Sequence, residues 1–136
     1  MIRFSKKYTL DEIYSRITGK VIIIDGQPVK MNSQRYRLFR RDGTKCVRCQ
    51  REGQFFYLEK HNLTDNRYHF NLYAELEDGK LLLFTKDHIL PSSKGGKDVM
   101  SNYQVMCQEC NNNKGNKLET NDSNSYSDCS HIGVSN

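Results

Sequence analysis

Asp87-His88-Ile89-Leu90-Pro91 and Asn102-Tyr103-Gln104-Val105-Met106-Cys107-Gln108-Glu109-Cys110-Asn111 bound the stretch whose reading decides the fold of this chain. Two ligand patterns are interleaved in it. Asp87, His88, Asn102 and Asn111 offer hard oxygen donors and one imidazole, the groups that metal-assisted phosphodiester hydrolysis needs. Cys107 and Cys110 offer soft thiolates in a C-x-x-C pair, and Cys46-Val47-Arg48-Cys49 repeats that spacing earlier in the chain. Four thiolates can close a tetrahedral zinc shell and exclude water, so Cys46, Cys49, Cys107 and Cys110 are read as one structural site built from two knuckles. Lys45, Arg48 and Arg51 would offset its negative charge.

Working outward from the quoted stretch, Lys80-Leu81-Leu82-Leu83-Phe84-Thr85 reads as a strand running directly into Asp87-His88, which puts the catalytic candidates where the backbone is firmly held. Glu77-Asp78-Gly79 is a hairpin turn, so residues 68–76 should pair antiparallel with that strand. Phe55 to Leu58 forms a further strand-like piece, and Pro91 to Asp98 must be a loop. A helix is expected from Asn111 through Lys117. Toward the N-terminus, Thr9-Leu10-Asp11-Glu12 has the form of a capping box for a helix over 10–18. Val21 to Ile24 suggests a strand that returns through Val29-Lys30-Met31, and Asn32 or Ser33 can cap a second helix ending at Asp42-Gly43.

The chain has 136 residues, enough for one small domain, yet only 36% are apolar and none is tryptophan, so a structural metal would help a thin core. Formal charge is +5, and because no Lys or Arg follows Lys117 while Glu119, Asp122 and Asp128 do, the basic surplus falls on the first 117 residues. Such a surface attracts polyanions. The organisation expected is an N-terminal helix and hairpin extension (1–32), a central domain (33–117) and a disordered polar tail (118–136) in which Cys129 is incidental. Residues 1–7 lack an apolar signal region and no apolar run can span a bilayer, which leads to the expectation of a cytoplasmic protein with no membrane partner. Paired cysteines fit metal thiolates in a reducing compartment better than disulfides.

Asp87-His88-Ile89-Leu90-Pro91, Gly95-Gly96, the run from Asn102 to Asn111, and Asn113-Lys114-Gly115 together resemble the signature of HNH endonucleases, in the subgroup with a four-cysteine zinc site. The resemblance covers about residues 46 to 117, and its third motif position is Asn rather than His. It implies an α+β fold with a small ββα-metal core, in which a hairpin, a loop and a helix hold one divalent cation. Carried over position by position, it implies His88 as general base, Asp87 and Asn111 as ligands of Mg²⁺ or Mn²⁺, and Asn102 as the residue that holds the loop and orients His88. Asn112 is a weaker ligand candidate, and His61 and His69 lie outside the motif.

DNA is the expected partner. Lys94, Lys97, Lys114 and Lys117 flank the site, and Arg35, Arg37, Arg40 and Arg41 line the preceding helix, so some should contact phosphates. A homodimer is also admitted. Two other readings compete: a zinc-stabilised nucleic-acid-binding module without catalysis, and a zinc-ribbon protein-interaction module. Among biological roles, the short length favours a homing or other mobile-element nuclease or a bacteriophage nuclease, although motif and fold do not choose between them.

Overall fold

A computed structural model describes residues 1–64 and 67–114. Its centre is a five-stranded, wholly antiparallel sheet in the order β1-β4-β5-β6-β7, formed by β1 (Ile2–Tyr8), β4 (Phe55–Lys60), β5 (His69–Glu75), β6 (Leu81–His88) and β7 (Tyr103–Cys107). A separate hairpin pairs β2 (Val21–Ile24) with β3 (Gln27–Lys30). The helices are α1 (Leu10–Tyr14), α2 (Gln34–Asp42) and α3 (Gln108–Lys114).

Local chemistry explains most boundaries. The Thr9 hydroxyl accepts from Glu12 N while the Glu12 carboxylate accepts from Thr9 N, closing the capping box at α1. That helix stops at Tyr14, short of the expected residue 18, because Thr18 and Met31 exchange the chain into β2 through the bonds Thr18 N to Met31 O and Met31 N to Lys20 O. Ser33 caps α2 and Gly43 ends it at φ 87°. Between β5 and β6, Gly79 at φ 84° makes the expected hairpin turn.

Alternation sorts the sheet into two faces. Phe56, Leu58, Phe70, Leu72, Ala74, Leu82 and Phe84 are buried in the core, together with Tyr36, Leu38 and Phe39 of α2. Phe56 is the hub: it meets Tyr14, Tyr36, Phe39 and Phe70 at ring-centroid distances of 6.2 to 6.5 Å, mostly edge to face. So few aliphatic residues suffice because large rings fill the layer.

Three features depart from the sequence reading. β1 is a full sheet strand, although its polar residues hide it: Ile2, Phe4 and Tyr8 are shielded while Ser5, Lys6 and Lys7 face solvent, as suits an edge. β7 is a strand as well as a motif, and α3 begins at Gln108, so that Cys110 lies within the helix rather than ahead of it and Asn111 is not its first residue. The strand–strand–helix unit nearest the motif is therefore β6, β7 and α3, whereas the hairpin read from sequence was β5 and β6. Lys117 and the tail 118–136 lie outside the described residues. Among the described residues, no helix is long and apolar enough to cross a membrane.

Candidate active site and metal centre

The four cysteines converge. Their sulfurs all lie within 4.8 Å of one another, and Cys46, Cys107 and Cys110 are buried. Cys49 Sγ and Cys107 Sγ are 3.8 Å apart. Adjacent corners of a tetrahedron with bonds of about 2.3 Å are separated by about 3.8 Å, so this spacing fits a zinc–thiolate shell. Each knuckle also turns a backbone N–H onto its first sulfur, Arg48 N to Cys46 and Cys110 N to Cys107, both at 3.4 Å. Hydrogen bonds from Cys107 and Cys49 pull the Cys46 thiol well below its ordinary range, while the contacts with Cys46 and Cys49 push Cys107 up. One thiolate can be shared among these neighbouring sulfurs. Arg51, just after the first knuckle, pairs with Glu109 inside the second at 2.8 Å and ties the halves together.

A second constellation forms where β6 ends. Lys86, Asp87, His88, Pro91, Ser92, Asn111 and Lys114 line a cleft of about 220 Å³. Asp87 and His88 come from the last two residues of β6 and Asn111 from α3, so helix and strand together aim three of the four motif residues into one space. The Asn111 amide is steadied by donation to Thr85 Oγ1 at 3.1 Å, which leaves its carbonyl oxygen uncommitted among the described residues. Asp87 is nearly buried, and its Oδ2 accepts from Gln104 Nε2 at 3.0 Å and from Lys114 Nζ at 2.6 Å. Its other oxygen is likewise uncommitted. One carboxylate oxygen and one amide oxygen at the same cleft suit a hard divalent cation that keeps its waters.

Asn102, the fourth motif residue, does not line the cleft. It clasps the loop instead: its Oδ1 accepts from Leu90 N at 2.9 Å, its Nδ2 donates to Leu90 O and Lys97 O, and its carbonyl accepts from Ile89 N. Both ends of the loop between β6 and β7 are thus fixed just beyond His88. Gly95 and Gly96 complete the clasp. Gly95 sits at φ 92°, and a Cβ on Gly96 would lie 1.7 Å from Leu90 O, so no other residue fits without moving the backbone.

Two contacts were not legible in the sequence. His88 Nε2 lies 2.6 Å from Asp98 Oδ1. A carboxylate only accepts, so Nε2 is the protonated nitrogen of this contact, and in the neutral ring the lone pair lies on Nδ1. Lys114 was grouped with the phosphate-contacting lysines, yet it is 1% exposed, with Nζ between Asp87 Oδ2 and His88 O at 2.6 and 2.5 Å. It is an internal counter-charge rather than part of an exposed row. The remaining basic candidates divide. Lys94 and Lys97 are exposed on the loop. Arg41 is spent on Asp42, Met100 O and Tyr103 O, and Arg40 reaches Tyr14 O at 3.4 Å. Asn112 accepts from Gln108 within α3, and His61 is exposed outside the cleft lining.

The segment that builds this cleft is similar to a family of nucleases. Residues 80–127 match the family model of HNH endonuclease, a span that takes in β6, the loop, β7 and α3 and contains Asp87, His88, Asn102 and Asn111. The first knuckle, Cys46 and Cys49, lies ahead of it. No curated protein and no solved structure matches the chain.

Proposed function

We propose that this protein is a metal-dependent endonuclease that hydrolyses DNA phosphodiester bonds, with a small ββα-metal core formed by β6, β7 and α3 and a structural zinc in the four-cysteine site. The observation that carries the reading is the convergence of Asp87, His88 and Asn111 on one cleft of about 220 Å³ within the HNH segment. His88, with Nε2 committed to Asp98, presents Nδ1 to take a proton from the attacking water. Asp87 and Asn111 would hold the cation through their uncommitted oxygens, and Lys114 keeps Asp87 in place from behind. Bound there, Mg²⁺ or Mn²⁺ supplies charge to the phosphoryl oxygens and the departing 3′ oxygen. Asn102 acts through the loop backbone, and Lys94 and Lys97 are placed to meet neighbouring phosphates.

Incubation with supercoiled plasmid, with Mg²⁺ and with EDTA, tests the proposal. Nicked or linear DNA should form only with the cation and only while His88 is present. Cleavage that persists in EDTA, or in His88→Ala at an unchanged rate, would overturn it.

A further inference from the structure

A second cleft, of about 430 Å³, opens beside the first and is lined by Ser33, Arg35, His69, Asn71, Thr85 and Lys86. Lys86 lines both clefts, and Thr85, on the wall of the second, accepts the hydrogen bond from Asn111 in the first. Along β6, the step from Thr85 to Asp87 is about 7 Å. Two nucleotides, each rising about 3.4 Å along a strand, cover the same interval.

The charge of this second cleft is one-sided. Arg35 donates from Nη2 to Phe70 O at 3.0 Å and to Asn71 Oδ1 at 2.8 Å, both neutral acceptors, and its Nε is buried with no partner. Lys86 Nζ donates to Gln34 Oε1 at 3.0 Å and lies over the Tyr103 ring, again without a carboxylate. Among the described residues, no Asp or Glu lines this cleft. The nearest acid in the bonding chain is Glu59, which accepts from Asn71 Nδ2, and Glu59 is already paired with Arg3. Among the described residues the two cations facing this polar cleft have only neutral partners, which leaves a positive site that an anion such as a phosphate would compensate.

We infer that the Ser33–Arg35–Lys86 cleft is a phosphate-binding subsite that seats a backbone phosphate about two nucleotides from the bond being cut, on the same strand. Arg35 supplies a positive charge held in place by its bonds to Phe70 and Asn71, Lys86 bridges the two phosphates, and Ser33 and Thr85 line the wall. The inference rests on the nuclease reading.

The test is a scan in which each phosphate of a duplex oligonucleotide near the cut is replaced in turn by an uncharged methylphosphonate. Binding is measured without divalent cation for the wild-type protein, Arg35→Gln and Lys86→Gln. One neutralised phosphate near the scissile one should weaken wild-type binding about tenfold. The same replacement should cost Arg35→Gln little further, because the group it would meet is gone. Arg35 also braces Phe70 O, so a melting curve accompanies it; if that variant is unfolded, Lys86→Gln decides, since its own bonds reach only a glutamine and a ring face. Each variant should lower the slope of log K against log salt by about 1. Losses that simply add at every position in a folded variant would overturn the subsite while leaving His88-dependent cleavage intact. A wild-type protein that neither binds nor cuts DNA overturns the subsite and the nuclease reading together.

Discussion

The four-cysteine cluster and the cleft at the end of β6 both draw on α3, yet they are built to opposite specifications. Cys107 and Cys110 meet Cys46 and Cys49 across a distance that one zinc ion closes, with two sulfurs already 3.8 Å apart and backbone N–H groups aimed at them. Asp87 and Asn111, a few residues away, each keep one oxygen in reserve and commit the rest of their polar atoms to Lys114, Gln104 and Thr85. A closed shell stabilises the chain. An open one leaves room for water and substrate. The contrast is between two donor sets that differ in softness and in how completely each donor is spent.

The comparison breaks most visibly at the thiolates. Cys46→Ser or Cys107→Ser should remove zinc and with it the tie between the chain before β4 and the chain after β7, so elemental analysis should find about one zinc per wild-type chain and less in either variant, with cooperative unfolding lost or shifted far down. An unchanged melting curve in a zinc-free variant would show that the cluster is not structural.

His88→Ala should behave in the opposite way. Zinc content and melting should stay as in the wild type, whereas cleavage under single-turnover conditions should fall by roughly 10² to 10⁴, a barrier increase of about 3 to 5 kcal/mol. Added Mn²⁺ should restore little, because the missing group is a proton acceptor. Asn111→Ala, which removes an oxygen donor, should respond more to raised cation. Equal rescue of the two variants would undo the division of roles between them.

Lys114→Met sharpens the comparison at the boundary between fold and site. Breaking a buried pair by removing one partner leaves Asp87 charged and uncompensated, which typically costs about 3 kcal/mol or more. A bound divalent cation can take over that compensation. The variant should therefore melt well below the wild type in EDTA and recover part of the difference in millimolar Mg²⁺, a recovery that the wild type should not show to the same extent. Identical losses with and without Mg²⁺ would mean that the Asp87 carboxylate does not reach the cation.

Much of this division was legible in the sequence, and what was not has physical causes. The knuckles were readable because C-x-x-C spacing is short-range and Gly95-Gly96 marks a backbone that must approach itself closely. The capping box at Thr9 and the β5–β6 turn at Gly79 are equally local. β1 escaped because an edge strand buries only alternate residues, and Ser5, Lys6 and Lys7 look like tail sequence until β4 pairs with them. β7 escaped because its residues were already accounted for by the motif. The Lys114–Asp87 and Asp98–His88 contacts have no sequence signal: one forms when α3 folds onto β6, the other across ten residues of loop, and neither leaves a spacing rule.

The smallest expected effect concerns Asp98. Its side chain is 79% exposed, so solvent screens its charge and its contribution to stability should be negligible. What it supplies to His88 is a preference of tautomer: with a carboxylate at 2.6 Å, the neutral ring carries its proton on Nε2 and its lone pair on Nδ1. In Asp98→Asn the amide can present either its oxygen, which preserves that tautomer, or its NH₂ group, which favours the other, so part of the population loses the basic nitrogen at the right place. The cleavage rate should fall on the order of tenfold, as for other outer partners of a site histidine, with melting and zinc content unchanged. Nitrogen-15 shifts of the His88 ring should show the mixed tautomer directly. A variant with an unaltered rate and an unaltered ring spectrum would reduce Asp98 to a surface contact and leave His88 to be oriented by the Asn102 clasp and the Lys114 bond to its carbonyl alone.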